Sequence, residues 1–239
     1  SPFRFSVYLE GISCYAFSKE SIGRFCVFRF SRSTLSRSYL CVMVKRMFDI
    51  GLALVGLILG APFLLCIALA IKLDSPGSVL YNGVRVGKGG KSFRMHKFRT
   101  MVPNADKIGG PSTAGDDVRL TRVGKFLKKF QLDELPQFFN VLKGKMSVVG
   151  PRPEVPLYVD MMSEQERSVI LSVRPGMTDW ASLWNFHEGE VLRGSADPEK
   201  TYQEKIRPEK IRLQMKYVQE QSFWTDLKII FLTLKKIFE

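Results

Sequence analysis

Residues 50–71 read IGLALVGLILGAPFLLCIALAI, an uncharged run of 22 residues with a proline, Pro62, near its middle. A helix rising about 1.5 Å per residue over that length covers a hydrocarbon core about 30 Å thick. One spanning helix is therefore the simplest reading. Two features weigh against it. Lys45 and Arg46 flank one end and Lys72 the other, so the basic residues assign no inside and outside. Pro62 removes a backbone donor and favours a sharp bend. A helix bent at Ala61–Pro62 enters one leaflet and returns, leaving both ends on the cytoplasmic side. The residues alone leave both forms open.

Around this run, 239 residues accommodate one ordinary domain plus an appendage. An apolar fraction of 45% speaks against a polytopic membrane protein, and a net charge of +13 calls for an anionic partner. That partner is nucleic acid, an acidic membrane surface or a phosphorylated substrate. Residues 1–42 hold Cys14, Cys26 and Cys41, many Ser, Phe and Arg, and neither a sustained period nor the order of a signal peptide. They read as a dispensable leader, with the functional protein starting near Met43. Cys66 lies in the apolar run, and the cysteines form no CxxC pair. With only His96 and His187 to help, a structural zinc site is not expected, and the thiols fit a reducing cytosol.

Downstream of Lys72 the pattern is mixed. Val79–Tyr81 and Phe93–Arg99 read as strands on either side of a basic turn at Gly87–Lys91. A Gly-, Pro-, Asn- and Asp-rich loop follows at Pro103–Asp117. Helices are expected over 123–130, 136–142 (closed by Gly144), 161–171 and 208–221. The end, 223–236, is an amphipathic basic helix with an aromatic start, suited to a membrane interface or to docking on a core.

The chemistry centres on Leu132-Asp133-Glu134-Leu135-Pro136-Gln137. Pro136 suits a first helical position, which places Asp133 and Glu134 at a helix N-terminus, where negative charge is stabilised. Acidic residues at a helix start are also ordinary caps. Basic residues crowd the neighbouring segments: Arg85, Lys97, Arg99, Arg119, Arg122, Lys125, Lys128, Lys129, Lys143, Lys145, Arg152 and Arg174. An ionised acid pair among such cations suits phosphoryl chemistry: one carboxylate attacks phosphorus, the other holds a divalent ion. Oxygen ligands beside phosphates favour Mg²⁺. Each single Lys or Arg is also compatible with a solvated face, and the two histidines are weaker candidates.

The order of motifs is specific. KRMFD, the proline-containing apolar helix, LDSPG, KFRTM, a D-x-R-x-T-x-x-G segment, LDELPQFFNVLKGKMSVVGPRPE and RPGMT run from Lys45 to Thr178. Together they resemble the bacterial sugar transferases, and among these the monotopic phosphoglycosyl transferases. The resemblance implies an α/β, mostly helical fold: a re-entrant membrane helix hairpin over 43–73, kinked at Pro62, and a small cytoplasmic catalytic domain over 74–239 with interfacial amphipathic helices. It implies residence at the bacterial inner membrane. It implies Asp133 as nucleophile toward a UDP-sugar, expelling UMP, and Glu134 as the Mg²⁺ ligand. Polyprenyl phosphate is then the acceptor, which starts a lipid-linked glycan such as exopolysaccharide, capsule or O-antigen. Arg99, Arg119, Arg152 and Arg174 are implied phosphate and uridine contacts, and Arg85, Lys97, Asp116, Lys128 and Gln137 complete the candidate substrate contacts. The sequence departs from relatives at Ala61, often Ser, and at Lys128, commonly Arg, which trades a planar fork for a point charge.

Beyond Thr178 the resemblance fails. DWASLWNFHEGEVLRGSADPEK replaces the loop relatives carry, so no sugar preference transfers; Trp184, Asn185, His187 and Glu188 are candidate sugar contacts. A nucleic-acid module would explain the net charge but neither the apolar run nor the acid pair, so nucleic acid is not an expected partner. A basic, non-catalytic membrane anchor is the other alternative. Self-association into a homo-oligomer is compatible with the sequence and not required by it.

Overall fold

The structure is a computed structural model and describes residues 32–105, 108–110 and 112–238. The expectation of a leader over residues 1–42 falls outside the described residues as far as residue 31. The chain divides after Arg46, and Met47–Glu239 forms one compact unit. Helix α1, Arg32–Asp74, begins well ahead of Met43 and carries Pro62 inside it, with helical structure on both sides. Its stretch Val42–Asp74 is long and apolar enough to cross a membrane.

Two small sheets follow. Strands β1 (Leu80–Val86) and β2 (Ser92–Phe98) pair antiparallel, with Leu80 opposite Phe98. Strands β3 (Ser147–Val149) and β4 (Gly176–Thr178) pair in parallel. Between and after them come α2 (Arg122–Lys129), α3 (Gln137–Leu142), α4 (Pro156–Asp160) and α5 (Glu164–Ile170). After β4 come α6 (Trp180–Trp184), α7 (Glu188–Val191), α8 (Pro198–Thr201), α9 (Arg207–Glu220) and α10 (Phe223–Phe238). The architecture is mostly helical with small sheets. The helix expected over 161–171 starts later, at Glu164, because Ser163 forms a capping box with Glu166 and sets the first turn of α5.

The motifs turn out to be joints. Asp49 of KRMFD is buried and accepts from Ser147 Oγ (2.8 Å) and Val148 N (3.0 Å), fastening α1 to β3. Asp74 of LDSPG accepts from Val123 N (3.1 Å) at the start of α2. Between these pins, Ala53 joins the core of Phe93, Met95, Val141, Val149, Tyr217 and Ile229, while Ile67 and Ile71 pack with Phe98 and Leu127. Both ends of the apolar stretch thus rest on the same unit, whereas Ile58, Leu59, Phe63 and Leu65 are exposed. GPRP and RPGMT are two halves of another joint: a Cβ on Gly176 would lie 2.1 Å from Gly150 N. Only glycine permits that approach of β4 to the end of β3.

Candidate active site

Strand β2 alternates faces, so Phe93, Met95 and Lys97 share one side. The first two enter the core, and Lys97 at the end of that row reaches Glu134, Nζ to Oε1 2.7 Å. The acid pair does not sit in the first turn of α3. Leu132–Glu134 is a separate 3₁₀ turn preceded by Gln131 in the left-handed region (φ 53°), and Pro136 caps α3 behind it. This corrects the sequence expectation: side-chain cations, rather than a helix terminus, govern the charge here.

The two carboxyls live in opposite environments. Arg152 forks onto Glu134, donating Nη1 to Oε2 at 2.8 Å and Nη2 to Oε1. Burial works to raise Glu134, but Arg152 and Lys97 overcome it and hold this carboxyl well below the usual carboxylate range. Asp133 is only 6% exposed, and the described residues offer it no cation within ion-pair distance. Burial pushes its carboxyl up, with the Glu134 charge adding to that, against the pull of Lys97, Lys128 and Arg152. Lys128, lowered by burial, faces Asp133, and Arg85 lies within the fields of Arg152 and Glu134. Asp133, Glu134, Arg85, Lys97, Lys128 and Arg152 are therefore brought together as expected.

The other candidates make contacts of their own. Arg99 is buried against Gly77 (φ +113°) and donates to Ser75 O (2.7 Å), Ser75 Oγ (2.9 Å) and Pro76 O (2.6 Å). It staples KFRTM to LDSPG. Arg119 pairs with Asp117 (2.6 Å) and donates to the carbonyls of Ala105, Gly110 and Ser112, so it holds the loop before α2. In the same motif Thr121 caps α2 by accepting from Gly124 N, and a Cβ on Gly124 would meet Thr100 O at 1.9 Å. Arg174 Nε donates to Gly144 O (3.1 Å) at the end of α3. Asp116 is exposed and accepts from Gly194 N (3.3 Å). Gln137 is fully buried, with no partner for its amide among the described residues. Trp184 lines a groove between α6, α9 and α10.

Sequence reasoning missed the residues that hold Arg152. Asp179 is fully buried, accepts from Arg152 N (3.2 Å) and from Ser182 N (2.7 Å), and caps α6. Gln214 Nε2 donates to Arg152 O (3.1 Å) from α9. Lys210 pairs with Glu154 (2.7 Å) and donates to Tyr202 OH (3.0 Å) behind the same loop. Asp179 three residues before Ser182 is a readable cap signal, and Gln214 interrupts the buried row Ile211–Tyr217.

Against this geometry the comparisons decide the family. The family model described as "Bacterial sugar transferase" matches residues 40–239. The chain belongs to the bacterial sugar transferase family. It is 40% identical over 207 residues to a UDP-N-acetylgalactosamine-undecaprenyl-phosphate N-acetylgalactosaminephosphotransferase of Aeromonas hydrophila, covering 85% of the chain and 46% of that relative. It is 40% identical over 199 residues to a UDP-glucose:undecaprenyl-phosphate glucose-1-phosphate transferase of Escherichia coli, covering 82% and 40%. An exopolysaccharide production protein of Rhizobium leguminosarum is 40% identical over 205 residues, covering 81% of the chain and 94% of that relative. The chain thus spans less than half the length of the first two.

The acid pair has the kind of oxygen donors that a magnesium ion would take. Two adjacent carboxylates match the one or two that Mg²⁺ takes alongside substrate phosphates. The ammonium of Lys97 on Glu134 Oε1 marks where a cation is held. Among the described residues no group of three or more His, Cys, Asp or Glu forms a complete cage, so the substrate's oxygens would supply the remaining ligands.

Proposed function

We propose that the protein transfers a sugar 1-phosphate from a UDP-sugar to polyprenyl phosphate, releasing UMP, through a covalent aspartyl intermediate. One observation carries this reading: of two adjacent carboxyls, Glu134 is bound by Arg152 and Lys97 while Asp133 lies in the field of the same cations with no ion pair of its own among the described residues. An Asp133 oxygen attacks the β-phosphorus, the bond to the bridging oxygen breaks, and UMP leaves with that electron pair. An oxygen of the lipid phosphate then attacks the same phosphorus and frees Asp133. Lys97, Lys128 and Arg152 offset the charge of the diphosphate in both displacements. Glu134 would hold Mg²⁺, which when bound neutralises diphosphate charge. Desolvation of Asp133 leaves its oxygens without a hydration shell to strip before attack.

The relatives' names support both substrates: two act between a UDP-sugar and undecaprenyl phosphate. The membrane placement is supported by the pins at Asp49 and Asp74. A helix crossing the bilayer would carry Asp49 to the face opposite the catalytic unit, so we read the apolar stretch as entering one leaflet and returning. The exposed side chains around Pro62 are then the part in lipid, and the acid pair works on the cytoplasmic face of the inner membrane. The test is UMP release from a panel of UDP-sugars with polyprenyl phosphate and Mg²⁺. Asp133→Asn should abolish release and leave membrane association intact; near-normal release by this variant would reject the covalent route, whereas no release by the wild type would favour a non-catalytic anchor. Mass spectrometry of protein quenched before acceptor is added should find a phospho-sugar on Asp133.

A further inference from the structure

The loop that follows β4 is fastened beside the acid pair at two points. Gln131, in the left-handed conformation two residues before Asp133, donates Nε2 to Phe186 O at 2.9 Å. Gly115 N donates to Gly189 O at 2.7 Å, and a Cβ on Gly189 would lie only 3.2 Å from Gly115 N. Between these anchors stands Glu188, half-buried. Its carboxylate lies in the fields of Lys128 and Arg152, the cations that serve the acid pair. Among the described residues it nevertheless makes no ion pair within 4.0 Å; Asn185 Nδ2 donates to its Oε2 at a long 3.3 Å.

We propose that Glu188 is the specificity-determining residue for the donor sugar. Its carboxylate accepts hydrogen bonds from the hydroxyls of a neutral hexose or N-acetylhexosamine and rejects a sugar that carries a carboxylate of its own. The assignment rests on the transferase reading above, in which Lys97, Lys128 and Arg152 hold the donor diphosphate. A sugar on that β-phosphate lies between the cations and the fastened loop. An ionised carboxylate is an acceptor only, so it pairs with hydroxyl or amide N–H donors and repels an anionic ring substituent. An acceptor that the bound donor covers also penalises any sugar that leaves it unpaired.

The test compares wild-type protein with Glu188→Gln and Glu188→Ala. UMP release is measured with UDP-glucose, UDP-galactose, UDP-N-acetylglucosamine, UDP-N-acetylgalactosamine and UDP-glucuronate, together with inhibition by UMP. Wild type should prefer a neutral donor. In both variants kcat/KM for that donor should fall about 10- to 100-fold through KM, with inhibition by UMP unchanged. Discrimination against UDP-glucuronate should shrink at least about tenfold. A loss by one common factor for all five donors, or weakened UMP inhibition, would show that Glu188 serves the cations and not the sugar. A wild-type preference for UDP-glucuronate would overturn the assignment outright. No UMP release by wild type from any of the five would sink the transferase reading itself and this assignment with it. Glu188→Gln preserves size and shape, and equal unfolding temperatures exclude a folding defect.

Discussion

Replacing Arg152 by Met should cost stability in a way that acid reverses. Arg152 gives Glu134 both arms of its guanidinium and reaches Met177 O at 3.3 Å; Met keeps much of the side-chain volume and none of the donors. Breaking a buried pair by removing one partner costs about 3–5 kcal/mol. Arg152 is 28% exposed and Glu134 12%, and Lys97 remains, so screening trims this to about 2–4 kcal/mol. For a unit of this size each kcal/mol moves the unfolding temperature about 2–4 °C, giving a drop of about 5–15 °C at pH 7. The sign with pH follows from Glu134, whose folded value lies below the unfolded value of about 4.3. Its stabilisation is complete above that pH and is lost as pH falls toward the folded value. The wild-type and variant curves should therefore converge on acidification. Thermal unfolding of the detergent-solubilised protein from pH 7 to pH 3 reads both effects. Glu134→Gln alone and with Arg152→Met closes a double-mutant cycle, with an expected coupling of at least about 1.5 kcal/mol. A drop below about 1 °C at pH 7, or a gap that widens on acidification, would refute the account of the pair.

Other outcomes follow from the same structure. Lys128→Met removes a cation facing Asp133, whose carboxyl burial already raises, so the acidic limb of kcat/KM should move to higher pH; an unmoved limb means that Asp133 ionisation does not set it. Asp49→Ala strands the Val148 N–H and Ser147 hydroxyl at the base of α1 and should cost about 2–4 kcal/mol in denaturant unfolding. A neutral result there would remove one pin from the membrane reading. Gly176→Ala drives a methyl into Gly150 and should cost about 3 kcal/mol, seen as a lowered unfolding temperature, unless β3 and β4 can part without loss.

Much of this was legible in one dimension because the signals are local. The uncharged run, the strand alternation ending at Lys97, the Gly144 stop and the Asp133–Glu134 pair each depend on neighbours in sequence. What the sequence left unseen is that arginines inside the motifs brace the fold. Arg99, Arg119 and Arg174 spend their donors on backbone carbonyls of turns, and the partners of Arg99 and Arg174 lie more than twenty residues away. Period and composition carry no record of such pairings. The helix-terminus account of the acid pair failed for a related reason: the left-handed Gln131 inserts a separate turn ahead of α3, and that turn is held by Phe186, a residue from the loop after β4.

From its residues alone the chain determined that it holds one bilayer-length apolar stretch, a basic surface and an acid pair among cations, since hydropathy and charge are properties of the residues themselves. The tertiary structure decided which cations meet the acids, that Glu134 is consumed while Asp133 is left desolvated, and that both ends of the apolar stretch fasten to one unit. Those are matters of distance and burial, and distances between residues far apart in the chain exist only once the backbone has closed on itself.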